Sequence, residues 1–278
     1  MKETSTFARP NELVATPAAE AMLAREKKLI TPWRIGYLAL AIAVLVYSGR
    51  LSDLSFVELL QGSGTMAEYI TKYFPPTFSN WRIYLQDTLE TVAMGVWGTL
   101  LAALLAVPLS ILAAENICPA GIVFPVRRLL DAMRAINEVV FALIFVVAVG
   151  LGPFAGVLAL FVHTAGVLAK LFSEAIEAIE VGPVEGIRAT GASKLQEIIF
   201  GVIPQVVPLW TSFTLYRFES NVRSAAVLGI VGAGGIGVAL YQSFRAFEYQ
   251  EVCAIMIILI VTVGIIDTVS ARLRRYLV

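Results

Sequence analysis

The chain has 278 residues, 58% of them hydrophobic and only 15% charged, with a mean hydropathy of +0.79. A soluble domain averages about 25% charged and 45–50% apolar residues, so this composition belongs to a polytopic membrane protein. Basic and acidic residues balance at 21 each, which gives no basic surface for nucleic acid, and Cys118 and Cys253 form neither a disulfide framework nor a metal signature.

Residues 1–32 read as a polar cytoplasmic tail rather than a secretory signal, with a helix opening at Pro17-Ala18 and running through Lys28. A bilayer core takes roughly 20 mostly apolar residues per helix, and six such segments follow. The first, Trp33 to Leu51, places Trp33 and Tyr47 at the two interfaces. The segment Ser52 to Thr88, with "YFPPTFSNW", reads as a periplasmic loop, so that 33–84 precedes a core over 85–278. The second helix, Thr91 to Ala113, contains Pro108. A third begins near Asp131 and breaks at Gly152-Pro153, and a fourth follows from Phe154 to Phe172. The fifth spans Ile198 to about Tyr216, and the last Val252 to Val269. Between these two, "AAVLGIVGAGGIGVALYQSF" is apolar but glycine-rich, the signature of a re-entrant or interfacial hairpin, which protein must bury. The expected fold is therefore all-α and polytopic. With the N-terminus inside, 15 of the 21 Lys and Arg fall on the cytoplasmic side, which favours both termini in the cytoplasm.

One polar stretch, "EGIRATGASKLQEIIFGVIP", lies between the fourth and fifth segments. Gly182-Pro183 suits a helix start, and Glu185 faces Arg188 three residues on. Gly191 suits a left-handed C-terminal stop. Ser193 with Gln196 completes a capping box for a second helix that turns apolar at once. The alternatives are a solvated loop or a DNA-reading helix pair, and the second fails because no cation follows Lys194 to meet phosphate.

Four other features carry candidate chemistry. "GAGGIG", Gly232 to Gly237, matches a dinucleotide fingerprint with Glu251 nineteen residues on, but it lacks the strand–helix context that motif needs. Close helix packing or a backbone-lined gate at Gly234 and Gly235 reads better. His163 is either a hydrogen-bonded packing residue or part of a transport path. Arg134, Asn137 and Glu138 open the third segment, with Arg134 and Glu138 on one face; they either line a path or sit at the interface. Arg217, Glu219, Asn221 and Arg223 read as lying near the outer end of the path. Two guanidinium forks there suit a phosphate-like anion, or a contact to a protein partner or lipid headgroups, although regular helical spacing puts residues 217 and 223 on different faces.

Glu185, Gly191 and Ile203-Pro204 resemble the EAA loop of ABC-importer permeases, whose pattern is Glu-Ala-Ala, three residues, Gly, nine residues, Ile-x-Leu-Pro. Gly186-Ile187 replaces the two alanines, and Gly201 and Ile203 replace the Ile and Leu. "PVRRLLDAMRAINEVVFALIFVVAVGLGPFAGVLAL", "LYRFESNVRSA" and "VGAGGIGVAL" extend the resemblance, from about Leu85 onward, to the permease subunit of phosphonate importers. That resemblance implies a homodimer in the bacterial inner membrane, with a loop over 174–197 docked on a cytoplasmic ATPase dimer that uses ATP and Mg. A periplasmic phosphonate-binding protein would deliver the cargo. It assigns Glu185, Arg188, Gly191, Ala192 and Ser193 to the coupling element and Pro204 to the helix that element moves. Arg217, Asn221, Arg223, Gly234, Gly235, Arg134, Asn137 and Glu138 are the candidate substrate path. No catalytic, cofactor or metal residue is expected in this chain. Phosphite, hypophosphite or phosphate esters are alternative cargoes. An ion-coupled secondary transporter is the rival class, and Glu138 is the only intramembrane carboxylate that could serve it.

Overall fold

A computed structural model describes residues 32–277; the expected tail helix through Lys28 lies outside them. The chain divides into two compact units, Met1–Ala67 and Glu68–Val278. In the first, α1 (Pro32–Leu51) matches the expected first span, and α2 begins at Phe56 and runs to Thr71. The expected loop from Ser52 to Thr88 thus carries a helix, which Gly62 and Gly64 disguise in the sequence.

The second unit is a helical bundle. Its helices are α3 (Trp81–Ala113), α4 (Ala120–Ala135), α5 (Glu138–Val149), α6 (Pro153–Glu177) and α7 (Val181–Ala189). Then come α8 (Lys194–Val231), α9 (Ile236–Arg245) and α10 (Tyr249–Leu277). Helices α3, α6, α8 and α10 are each long and apolar enough to cross a bilayer. Two bent pairs, one over 36–71 bent by 42° and α4 with α5 bent by 87°, raise the number to six if each pair is one crossing.

Where the helices depart from expectation, polar residues are the cause. Helix α3 starts ten residues before Thr91, because Arg82, Asp87 and Glu90 hide its first turns from a hydropathy reading. Its 33 residues span about 50 Å against a hydrocarbon core of about 30 Å, so it projects beyond the core. The expected third segment is two helices: the chain turns at Ile136-Asn137, and Asn137 Oδ1 accepts from Val139 N at 2.9 Å to start α5. The break at Gly152-Pro153 falls as expected, with Pro153 in the first turn of α6.

Helix α8 runs well past Tyr216. It opens with a π turn, Glu197–Val202, just ahead of Pro204 and Pro208, whose missing N–H groups leave the ladder to reorganise. It closes with a 3-10 turn, Gly229–Val231. The core between α3 and α6 is built from Ala102, Ala106, Ala165 and Ala169, all fully buried. Small side chains let membrane helices approach closely, which gives dispersion contact where burial from water supplies no drive. Towards α7, Phe172 stacks on Trp210 with ring centroids 4.7 Å apart, and Trp210 Nε1 donates to the Phe172 carbonyl.

Candidate functional site

The polar corner is built as its residues dictate. Gly191 has φ +83°, a left-handed conformation that costs other L-residues about 1–2 kcal/mol, and it ends α7. The Ser193–Gln196 capping box forms, with Ser193 N donating to Gln196 Oε1 at 2.8 Å. Pro183 stands third in α7 rather than first, behind Val181. Gln205 of α8 fastens the start of α7: its Oε1 accepts from Glu180 N at 3.1 Å, and its Nε2 donates to the Glu180 carbonyl. Val184 and Ile187 pack on Gly201, where even a methyl group would meet Val184 Cα at 3.2 Å.

The expected Glu185–Arg188 pairing gives way to another. Arg188 forks onto Glu197 of the π turn, with Nε to Oε1 and Nη2 to Oε2 both at 3.0 Å, and Lys194 Nζ lies 3.4 Å from Oε2. Glu197 is buried, and its hydrogen bonds hold the Arg188 guanidinium above its already high ordinary pKa. The sequence conceals Glu197 because it sits within a run that turns apolar. Glu185 is left exposed, with no ion-pair partner among the described residues. A groove of about 550 Å³ at the Gly191 turn is lined by Ile187, Thr190, Gly191, Ala192, Gln196 and Phe200. A push on α7 would therefore reach α8 through a bidentate ion pair, an amide clasp and a packed glycine.

The second locus lies at the α4–α5 bend. Glu138 Oε1 accepts from Ser224 Oγ at 2.7 Å, and Oε2 lies 3.7 Å from His163 Nε2. His163 Nδ1 is 2.9 Å from the Ile136 carbonyl, which can only accept, so Nδ1 carries a proton. His163 is thus hydrogen-bonded at the bend, in keeping with the first of its two readings. Arg134 binds Asp131 at 2.9 Å instead of Glu138, because the 87° bend separates them. Arg217 is half-buried, and its Nε has no hydrogen-bond partner among the described residues.

This locus sits part-way along the bundle, not at an end. His163 is about 15 Å along α6, counted from Pro153. Arg217 and Arg223, read as lying near an outer mouth, stay apart because the helix is regular through both. Arg223 Nη1 binds Asp267 at 3.0 Å, while Glu219 pairs with Arg274 near the end of α10. Six residues are about one and two-thirds turns of helix, which leaves the two side chains roughly 120° apart, so the two arginines face different neighbours. Asn221 is buried and bonded at both ends of its amide: its Oδ1 accepts from Thr164 at 2.9 Å, and its Nδ2 donates to Thr99 at 2.8 Å. That bridge ties α3, α6 and α8 together and removes Asn221 from any open path.

The third locus is the glycine run. Gly235 N donates to Glu90 Oε1, and Ile236 N donates to Thr91 Oγ1, each at 2.8 Å, so two polar residues of α3 hold the turn between α8 and α9. Glu251 accepts from Tyr84 at 2.7 Å. With no strand among the described residues, the dinucleotide reading fails, and the hairpin is a helix–turn–helix whose second arm is α9. Beside Gly234 and Gly235 a cavity of about 440 Å³ is lined by Asp87, Glu90, Glu248 and Glu251, an acidic mouth that the sequence scatters across 165 positions of chain. Glu90, Thr91 and Ser224 had no local signal, because each acts across more than 80 residues of sequence.

Comparison with known proteins agrees with this architecture. Residues 106–278 match the family described as binding-protein-dependent transport system inner membrane component. The chain is 39% identical to the phosphite transport system permease protein PtxC of Stutzerimonas stutzeri, over 88% of this chain and 90% of that one. It is 64% identical to the putative cryptic phosphonate transport system permease protein PhnE2 of Escherichia coli K12, over 44% of this chain and 99% of that one. The fold superposes on a chain of an inward-facing structure of the MetNI methionine ABC transporter, with a TM-score of 0.65 and 21% identity, covering 73% of this chain and 99% of that one. The chain therefore belongs to the binding-protein-dependent transport system inner membrane components: it is a multi-pass permease subunit of an ABC importer, which works with a separate ATPase and a substrate-binding protein.

Proposed function

We propose that this permease carries phosphonates, or the closely related phosphite, from periplasm to cytoplasm as a homodimer. Its α7 corner docks on a cytoplasmic ATPase dimer that consumes ATP and Mg, a phosphonate-binding protein serves the opposite face, and both termini are cytoplasmic. Glu185, Arg188, Gly191, Ala192, Ser193 and Pro204 form the coupling element. Asn137, Glu138 and Arg217 contribute to the path at the α4–α5 bend, and Gly234 and Gly235 to its gate.

The observation that carries the coupling role is the division of labour at the corner. Glu185 is exposed with no ion-pair partner among the described residues, while Arg188 is locked to Glu197 on the helix that must move. The names of the relatives support the phosphorus-oxyanion cargo. The test is uptake of labelled methylphosphonate and phosphite into proteoliposomes holding the permease, ATPase and binding protein. Uptake should need ATP and all three components, and Glu185→Lys should abolish ATPase docking while the permease stays folded. Uptake driven by an ion gradient without the ATPase, or normal docking by Glu185→Lys, would refute the proposal.

A further inference from the structure

Helix α4 meets the bundle where two membrane-crossing helices end. Arg127 Nε donates to the Ala113 carbonyl at the C-terminus of α3, at 2.9 Å, and the same guanidinium pairs with Glu177, the last residue of α6. The 25 residues of α6 span about 37 Å against a hydrocarbon core of about 30 Å, so Glu177 lies at headgroup level. Between α4 and α6 a cavity of about 690 Å³ has Phe124, Arg127, Arg128, Asp131, Arg134 and Lys170 in its lining. Lys170, seven residues before Glu177, sits about 10 Å further in along α6. The cavity therefore runs from headgroup level to the level of the acyl chains.

Its cations are held in place but keep donors to spare. Arg127 is spent on the Ala113 carbonyl, Glu115 and Glu177, and Lys170 meets Glu174 at 3.4 Å with one of three ammonium hydrogens. Arg128 and Arg134 share one carboxylate: Asp131 lies 3.4 Å from the first and 2.9 Å from the second, so one positive charge is left between them. Arg134 reaches Asp131 through Nε and Nη2, which leaves Nη1 without a partner among the described residues, and Arg128 reaches it through Nη1 alone. The Arg128 side chain is 68% exposed, and its guanidinium stands 5.1 Å from the ring centroid of Phe124, itself 64% exposed. Ile122 and Leu129 are exposed on the same helix. A free oxyanion has no use for that apolar surface. A lipid has, because its phosphate takes the guanidinium groups while its chains cover the ring, and basic pockets between membrane helices take anionic headgroups in this way.

We propose that the α4–α6 cavity is a binding site for an anionic phospholipid, whose phosphate sits across Arg128 and Arg134 beside Asp131 and whose acyl chain lies against Phe124. Lys170 adds a third cation deeper in the cavity. The lipid binds here whatever the cargo of the importer.

The test is titration of the full chain in detergent micelles with phosphatidylglycerol or phosphatidylcholine, read by native mass spectrometry. The parent should hold phosphatidylglycerol about tenfold more tightly than phosphatidylcholine. Arg128→Gln and Arg134→Gln should each weaken phosphatidylglycerol binding about fivefold, and the pair about 25-fold, with phosphatidylcholine unmoved. Arg128→Lys, which keeps the charge, should stay near the parent. Asp131→Asn should bind phosphatidylglycerol more tightly than the parent, a gain that misfolding cannot produce. Replacing Arg272 and Arg275 of α10 by Gln removes two exposed charges outside the cavity and should change nothing. The inference fails if the Arg128 and Arg134 variants bind like the parent, if the α10 pair weakens binding as much, or if Asp131→Asn brings no gain. Displacement of phosphatidylglycerol by excess inorganic phosphate would make the cavity a free-oxyanion site and overturn the lipid. Phosphatidylglycerol carried by single copies but lost as two copies pair would assign this face to a second copy instead.

Discussion

Replacing Gly229 by alanine would put a methyl group into the crossing of α8 and α9. The new carbon would stand 2.6 Å from Gly237 Cα and from Val238 N, against the 3.4–4 Å of ordinary contact. Both neighbours are backbone atoms, so no rotamer change relieves the clash, and the two helices must part by most of an ångström. Gly237 has the reciprocal problem, since a Cβ there would strike the Ala226 carbonyl. Overpacking a tight core typically costs about 1–3 kcal/mol, and a contact with backbone on both sides belongs at the upper end. That corresponds to a fall in melting temperature of roughly 6–12 °C. Thermal unfolding of the detergent-solubilised chain measures it. Gly264→Ala in α10, which meets nothing within 4 Å, serves as the control and should be neutral or more stable by up to about 1 kcal/mol. If Gly229→Ala melts with the parent, the close crossing that orients the glycine turn does not exist as described.

Two further substitutions probe the other loci. Thr91→Val removes the acceptor for the buried amide of Ile236 and should destabilise by about 1–3 kcal/mol, whereas Thr91→Ser should recover most of the loss; the same melts report both. Charge reversal at the corner tests the link between α7 and α8. Arg188→Glu and Glu197→Arg should each lower ATP-driven uptake, and the double reversal should restore part of it; a double variant no better than either single one would show that the pair transmits nothing.

The corner was legible from local chemistry because its determinants are close in sequence. Gly191, Ser193 and Gln196 lie within six residues, and a left-handed stop and a capping box are local devices. The partner of Arg188 was not legible. At nine residues, Glu197 lies beyond helical spacing, and only the turn at Gly191 brings it back. The same limit explains Arg134 and Glu138, four residues apart but separated by a bend that depends on Asn137 capping a new helix.

The sequence by itself determined the class of the molecule. Its composition demands a bilayer, its apolar runs mark the long membrane-length helices, and the local chemistry around Gly191 builds the polar corner. The tertiary structure decided which charges meet. Hydropathy treats Arg217, Glu219, Asn221 and Arg223 as the end of a span, yet α8 continues through them. It can do so because Arg274, Asp267, Thr99 and Thr164 arrive from other helices to satisfy three of the four. A polar group in a membrane is tolerated only when neighbours complete it, and those neighbours lie 44 to 122 residues away. Arg217 is the one of the four with no such partner among the described residues.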